Sequence, residues 1–78
     1  MVSSIKQYFK KTLEDGILIL VRIDPDSYEG LELIVLPDKT VKKTDREFDE
    51  TIYEDLEFDE FVEGSALEFN LYLKGFTK

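Results

Sequence analysis

Two apolar, β-branched runs, "ILILVRI" at 17–23 and "LELIVL" at 31–36, constrain the fold of this chain more than anything else in its 78 residues. The first shows no polar side chain except Arg22. A strand of that kind is covered on both faces, so it is expected at the centre of a sheet. Between the runs stands "DPDSYEG", dense in turn-forming residues, and the three segments together predict an antiparallel hairpin with a seven-residue loop. "PDKT" at 37–40 is a further turn signal. The "VKKTDREF" that follows reads as a third strand, polar enough to be an edge guarded by Lys42 and Lys43.

The flanking segments carry other periods. Residues 4–15, "SIKQYFKKTLED", put Ile5, Tyr8, Phe9 and Leu13 at the i, i+3, i+4, i+8 spacing of one helical face. Ser4 with Gln7 forms a capping box, and Gly16 suits the left-handed residue that ends a helix. "ALEFNLYLK" at 66–74 alternates Leu67, Phe69, Leu71 and Leu73 with Glu68, Asn70, Tyr72 and Lys74, the pattern of a strand with one buried face. Residues 49–63 fit neither period cleanly. On a helix, Phe58 and Phe61 spread the apolar surface round most of the circumference, whereas a strand would turn Glu54 inward. A short or broken helix ending at Gly64 fits better. The order α-β-β-(β)-α-β then predicts one α+β domain over residues 1–78, with an antiparallel or mixed sheet of three to four strands. An N-terminal helix and a second, short acidic helix lie on one of its faces.

Composition limits the chemistry. With 42% hydrophobic residues, six Phe and four Tyr, the chain has enough apolar surface to fold despite its charge. No apolar run approaches the roughly 18–20 residues that span a bilayer, and the N-terminus lacks a signal-peptide core, so a cytoplasmic location without membrane association is expected. Cys and His are both absent, which removes disulfides, thiol catalysis, Ser-His-Asp arrangements and histidine metal sites. Paired carboxylates can hydrolyse glycosides, but such enzymes need a cleft for which this chain has little volume. Gly16, Gly30, Gly64 and Gly75 are too scattered for a phosphate loop. No residue is therefore assigned a catalytic role. Amides are scarce, only Gln7 and Asn70, and Lys and Glu abundant, a composition shared with hyperthermophile proteins; the eight lysines argue against a halophile.

The net charge of −8 is not evenly spread. Residues 1–46 carry eight acids and eight bases, residues 47–78 ten acids and two bases, and no base stands between Arg46 and Lys74. A charge run usually serves as a solvated face, yet solubility alone is normally met by mixed signs. In "FDETIYEDLEFDEF", 48–61, seven carboxylates interleave with Tyr53, Phe58 and Phe61, as on surfaces that are both charged and adhesive. Core burial competes for these three rings, since a small domain needs its large side chains inside.

The leading functional reading is a non-enzymatic module whose surface at residues 49–60 binds a basic protein partner. Its contact residues would be Asp49, Glu50, Tyr53, Glu54, Asp55, Glu57, Phe58, Asp59, Glu60 and Phe61. Closely spaced carboxylates imitate a phosphate backbone, so mimicry of nucleic acid fits this reading, whereas direct nucleic-acid binding runs against the charge. An alternative is a weak calcium or magnesium site at Asp55, Glu57, Asp59 and Glu60, because a hard cation relieves like-charge repulsion. Asp24, Asp26 and Glu29 imitate the start of a calcium loop, but Glu29 replaces the glycine and Val35 the bidentate acid, so a turn capped by Asp24 and Asp26 explains them better. A third reading is a structural subunit acting by self-association: a monomer, or a homodimer strengthened by salt, joined along the strand expected at 66–74.

Overall fold

The computed structural model of the protein describes residues 5–74. Among them are five strands and two helices: β1 (Gln7–Thr12), β2 (Leu18–Ile23), β3 (Glu29–Val35), β4 (Val41–Glu47), α1 (Ile52–Phe58), β5 (Val62–Glu63) and α2 (Ala66–Leu73). The strands form one antiparallel sheet in the order β4-β3-β2-β1-β5. The first four make a meander; the chain then passes over one face as α1, adds β5 beside β1, and returns over the opposite face as α2.

β2 sits in the middle of this sheet and explains its own composition. Alternation sends Leu20 to one face, where it packs with Leu31, Leu33, Val35 and Phe69 of α2. Val21 and Ile23 go to the other, where they meet Ile52 and Leu56 of α1. Two small cores result, one on each side of the sheet. Phe69, Leu20, Ile23 and Leu33 are wholly buried, and each such side chain contributes roughly 1.5–3 kcal/mol over its exposed state. The central hairpin turns through Asp24–Tyr28, five residues and not seven, because Glu29 and Gly30 already belong to β3. Asp24 Oδ1 accepts the Asp26 N–H at 2.9 Å and Tyr28 takes the left-handed conformation at φ 62°, so Asp24 caps the turn.

Three expectations are overturned. Residues 7–12 are a strand, not part of an N-terminal helix; Ser4, half of the supposed capping box, lies outside the described residues. The adjacent aromatics that imitated a helical face belong to different layers, Tyr8 packing in the α2 core and Phe9 in the α1 core. Gly16, at φ 91°, closes the β1–β2 turn, where its N–H donates to the Leu13 carbonyl at 3.0 Å. The segment at 66–74 is helical, not a strand. Ser65 Oγ accepts the Glu68 N–H at 3.0 Å and so caps the first turn. The sheet has five strands, and its helices lie on opposite faces. β4 does lie at an edge, with Lys42 and Lys43 exposed.

Candidate functional site

The acidic segment folds as a short helix bounded by two local devices. Asp49 Oδ1 accepts from the Thr51 hydroxyl at 2.5 Å and from its N–H at 3.0 Å, which fixes the turn ahead of Ile52. Those hydrogen bonds, the hydroxyl's first, hold the Asp49 carboxyl below its ordinary pKa. The helix ends not at Gly64 but at Phe58. The Phe61 N–H reaches the Leu56 carbonyl at 2.9 Å and the Glu60 N–H reaches Glu57 at 3.0 Å, with Glu60 left-handed at φ 68°. This is the Schellman arrangement with a glutamate where glycine is usual, and its hydrophobic contact joins Phe61 to Leu56 in the α1 core. Lys11 Nζ adds a bond to the Asp59 carbonyl at 2.6 Å and stands 5.9 Å from the Phe61 ring centre.

With Ile52 and Leu56 turned to the sheet, the helical period places Glu54 and Phe58 directly outward. Asp55 lies on one flank and Glu57 on the other. Asp55 and Asp59 line a shallow concavity with Glu47 and Asp49, floored by Phe48 and Ile52 and bordered by Arg46. All seven carboxylates of 49–60 are exposed. The ion pairs among the described residues are Lys6–Asp24 at 3.6 Å, Lys10–Glu68 at 3.1 Å and Arg46–Glu32 at 2.9 Å, and none involves that segment.

The three rings that the sequence groups together separate. Tyr53 and Phe61 join the α1 core, the Tyr53 ring lying 6.1 Å from Phe9 and 6.4 Å from Tyr28. The Tyr53 hydroxyl is buried without a hydrogen-bond partner among the described residues, and burial, then the neighbouring Tyr28 and Asp24, raises its pKa. Phe58 is instead 87% exposed. The proposed metal ligands are not gathered either. Glu57 lies on the flank opposite Asp55 and Asp59, Glu60 lies beyond the helix end, and Asp24 is engaged by its turn and by Lys6. Among the described residues no three carboxylates converge as a cation would require.

Leu67 and Leu71 on α2 are exposed apolar residues that a strand reading of 66–74 hides. The signal that would have found them is Ser65-x-x-Glu68 ahead of an apolar run, the helix-start pattern wrongly assigned to Ser4 and Gln7. Among the described residues no helix is long and apolar enough to cross a membrane. The chain matches no protein-family model, and no match to it is found among curated proteins or solved structures.

Proposed function

We propose that the protein is a non-enzymatic interaction module that binds a basic protein partner through the outer surface of α1. The observation that carries this reading is Phe58: a ring 87% exposed among seven carboxylates that make no ion pair with the described residues. Burying a Phe in the core stabilises a small domain, so a ring left in water gives up about 1.5–3 kcal/mol that a partner's apolar pocket would recover. Exposed aromatic anchors surrounded by polar contacts are where binding energy concentrates. The unpaired acids supply a field that accelerates approach of a cationic surface and disfavours acidic ones. Glu54, Asp55, Glu57 and Asp59 surround the ring most closely; Asp49, Glu50 and Glu60 extend the negative surface at either end. A groove built for the phosphate backbone is one surface that fits this arrangement.

The test separates recognition from ion exchange. Immobilised protein should retain partners that elute steeply with salt, and the Phe58→Ala variant, with the same net charge, should bind them at least about tenfold more weakly. Reversal of Glu54, Asp55, Glu57 and Asp59 to Lys should abolish retention while the protein stays folded. Equal retention by wild type and Phe58→Ala would mean that the acids act only as an ion exchanger, and the reading would fail.

A further inference from the structure

We infer that the free edge of β4 is a self-association site, where the β4 of a second copy of this chain pairs antiparallel about a two-fold axis at Thr44. This does not depend on the reading of α1. At the other edge of the sheet β5 covers part of β1, but β4 borders solvent along its whole length, exposed from Lys42 to Glu47. It has no proline, no positive φ and an unbroken register against β3. Its free backbone groups follow from the ladder. That register continues at one end into a bond from the Phe48 N–H to the Tyr28 carbonyl at 2.8 Å, and at the other into one from the Leu36 N–H to the Thr40 carbonyl at 2.8 Å. Bonded and unbonded pairs alternate in an antiparallel ladder, so Lys42, Thr44 and Arg46 bond to β3, while Val41, Lys43, Asp45 and Glu47 turn their N–H and C=O groups outward. Such a row is a template for another strand.

The order of charges along β4 identifies the occupant. Val41, Lys43 and Asp45 stand opposite Val35, Leu33 and Leu31, on the α2 side of the sheet, and Arg46 lies over Phe48 on the α1 side. Opposed residues of an antiparallel pair share a face, so a second β4 that continues the sheet sets odd positions against odd ones. An axis at Thr44 is the register that pairs β4 with itself over its full length. Lys43 of each copy then meets Asp45 of the other, so the ion pair forms twice, and Thr44 meets Thr44, a favourable cross-strand pair. With the axis at 43 or 45, Lys43 would meet Lys43 or Asp45 would meet Asp45. Lys42 does face Arg46 of the other copy, but Arg46 is already paired with Glu32 at 2.9 Å and drawn over the Phe48 ring. Lysines that guard an edge against arbitrary strands therefore admit this one. β4 is also a net positive stretch, Lys42, Lys43 and Arg46 against Asp45 and Glu47, in a chain of net charge −8. One strand pair buries less area than stable dimers use, so the association is weak.

Sedimentation velocity from about 10 μM to about 1 mM, in about 150 mM salt, tests this. The wild type should show a sedimentation coefficient that climbs with concentration. Lys43→Asp and Asp45→Lys should each move the midpoint to at least about threefold higher concentration, and the two together should restore it to within about twofold. The single variants change net charge in opposite directions, so general repulsion would shift their midpoints in opposite directions, whereas a lost cross-strand pair raises both. Both side chains are exposed, and circular dichroism should show the fold kept. Amide exchange gives a second readout. The Thr44 and Arg46 N–H groups, bonded to β3, should be protected at every concentration, those of Lys43 and Asp45 only where the protein associates. A wild type monomeric at every concentration overturns the proposal, as do midpoints that follow net charge. Association that leaves the Lys43 and Asp45 amides unprotected also overturns it, because another surface then carries the contact. Losses in both single variants that the double variant does not restore overturn the axis at Thr44.

Discussion

Asp24, Asp38 and Asp49 each accept a hydrogen bond from the backbone N–H two residues on, at 2.9, 2.9 and 3.0 Å, and each thereby fixes a turn that joins two elements. Those bonds favour the charged carboxylate and lower all three pKa values from the ordinary 3.8. The first cause is the Asp26 N–H for Asp24, the Thr40 N–H for Asp38 and the Thr51 hydroxyl for Asp49. A carboxyl whose folded pKa lies below its unfolded value stabilises the fold above the unfolded value, and that contribution is lost as pH falls through the folded one. Stability should therefore fall below about pH 4, where these groups take up protons in the unfolded chain first. Asn at position 38 keeps an acceptor oxygen but does not titrate. Urea midpoints should then show wild type ahead of Asp38→Asn at pH 7 and the gap narrowing as pH falls below about 4; a gap that stays constant would show that the Asp38 charge has no part in holding its turn.

At the scale of elements, α1 is seated through β3. Phe48 lies over Gly30, with the Arg46 guanidinium 5.7 Å from its ring centre, and packs with Ile52 and Leu56 in the core beneath α1. A methyl at position 30 would overlap that ring and come 2.5 Å from the Arg22 carbonyl oxygen, which belongs to backbone and cannot move aside cheaply. Gly30→Ala should cost about 1–3 kcal/mol by denaturant midpoint. It should also speed amide exchange in residues 52–58 while leaving α2 unchanged; an unaltered α1 would mean that Phe48 does not seat it. The same two-sided construction decides what the sequence could reveal. The "ILILVRI" and "LELIVL" runs were legible because buried strands have no other use for continuous apolar residues. Tyr8 and Phe9 misled because a sheet with a helix on each face accepts aromatics at consecutive positions, which erases the alternation of period two and leaves a chance helical spacing. Leu67 and Leu71 misled in the opposite sense, since outward leucines on α2 complete a false alternation with Phe69 and Leu73. The charge of the candidate site could be counted residue by residue. That Phe58 alone of its aromatics faces water could not, because it depends on how α1 is rotated against Val21 and Ile23.

For the whole molecule, the acids of 49–60 lie over one face of the sheet and the exposed Leu67 and Leu71 over the other. Seven like charges without ion pairs among the described residues lower the stability of the compact state through mutual repulsion, and that cost shrinks as salt shortens the Debye length. The melting temperature should rise between about 10 and 150 mM salt. For a domain of this size about 1 kcal/mol of relief corresponds to about 4–8 °C. Reversing Glu54, Asp55, Glu57 and Asp59 to Lys shifts the net charge by two per residue, from −8 to zero. That variant should melt at or above the wild-type temperature in low salt and respond little to added salt. Its behaviour also bears on why such a surface exists. If removing the charge stabilises the fold, then the acids are held against the interest of stability, as expected of residues whose contribution lies in meeting a partner. If the variant instead melts lower, at least one of the four carboxylates stabilises the native state, and the surface is structural before it is adhesive.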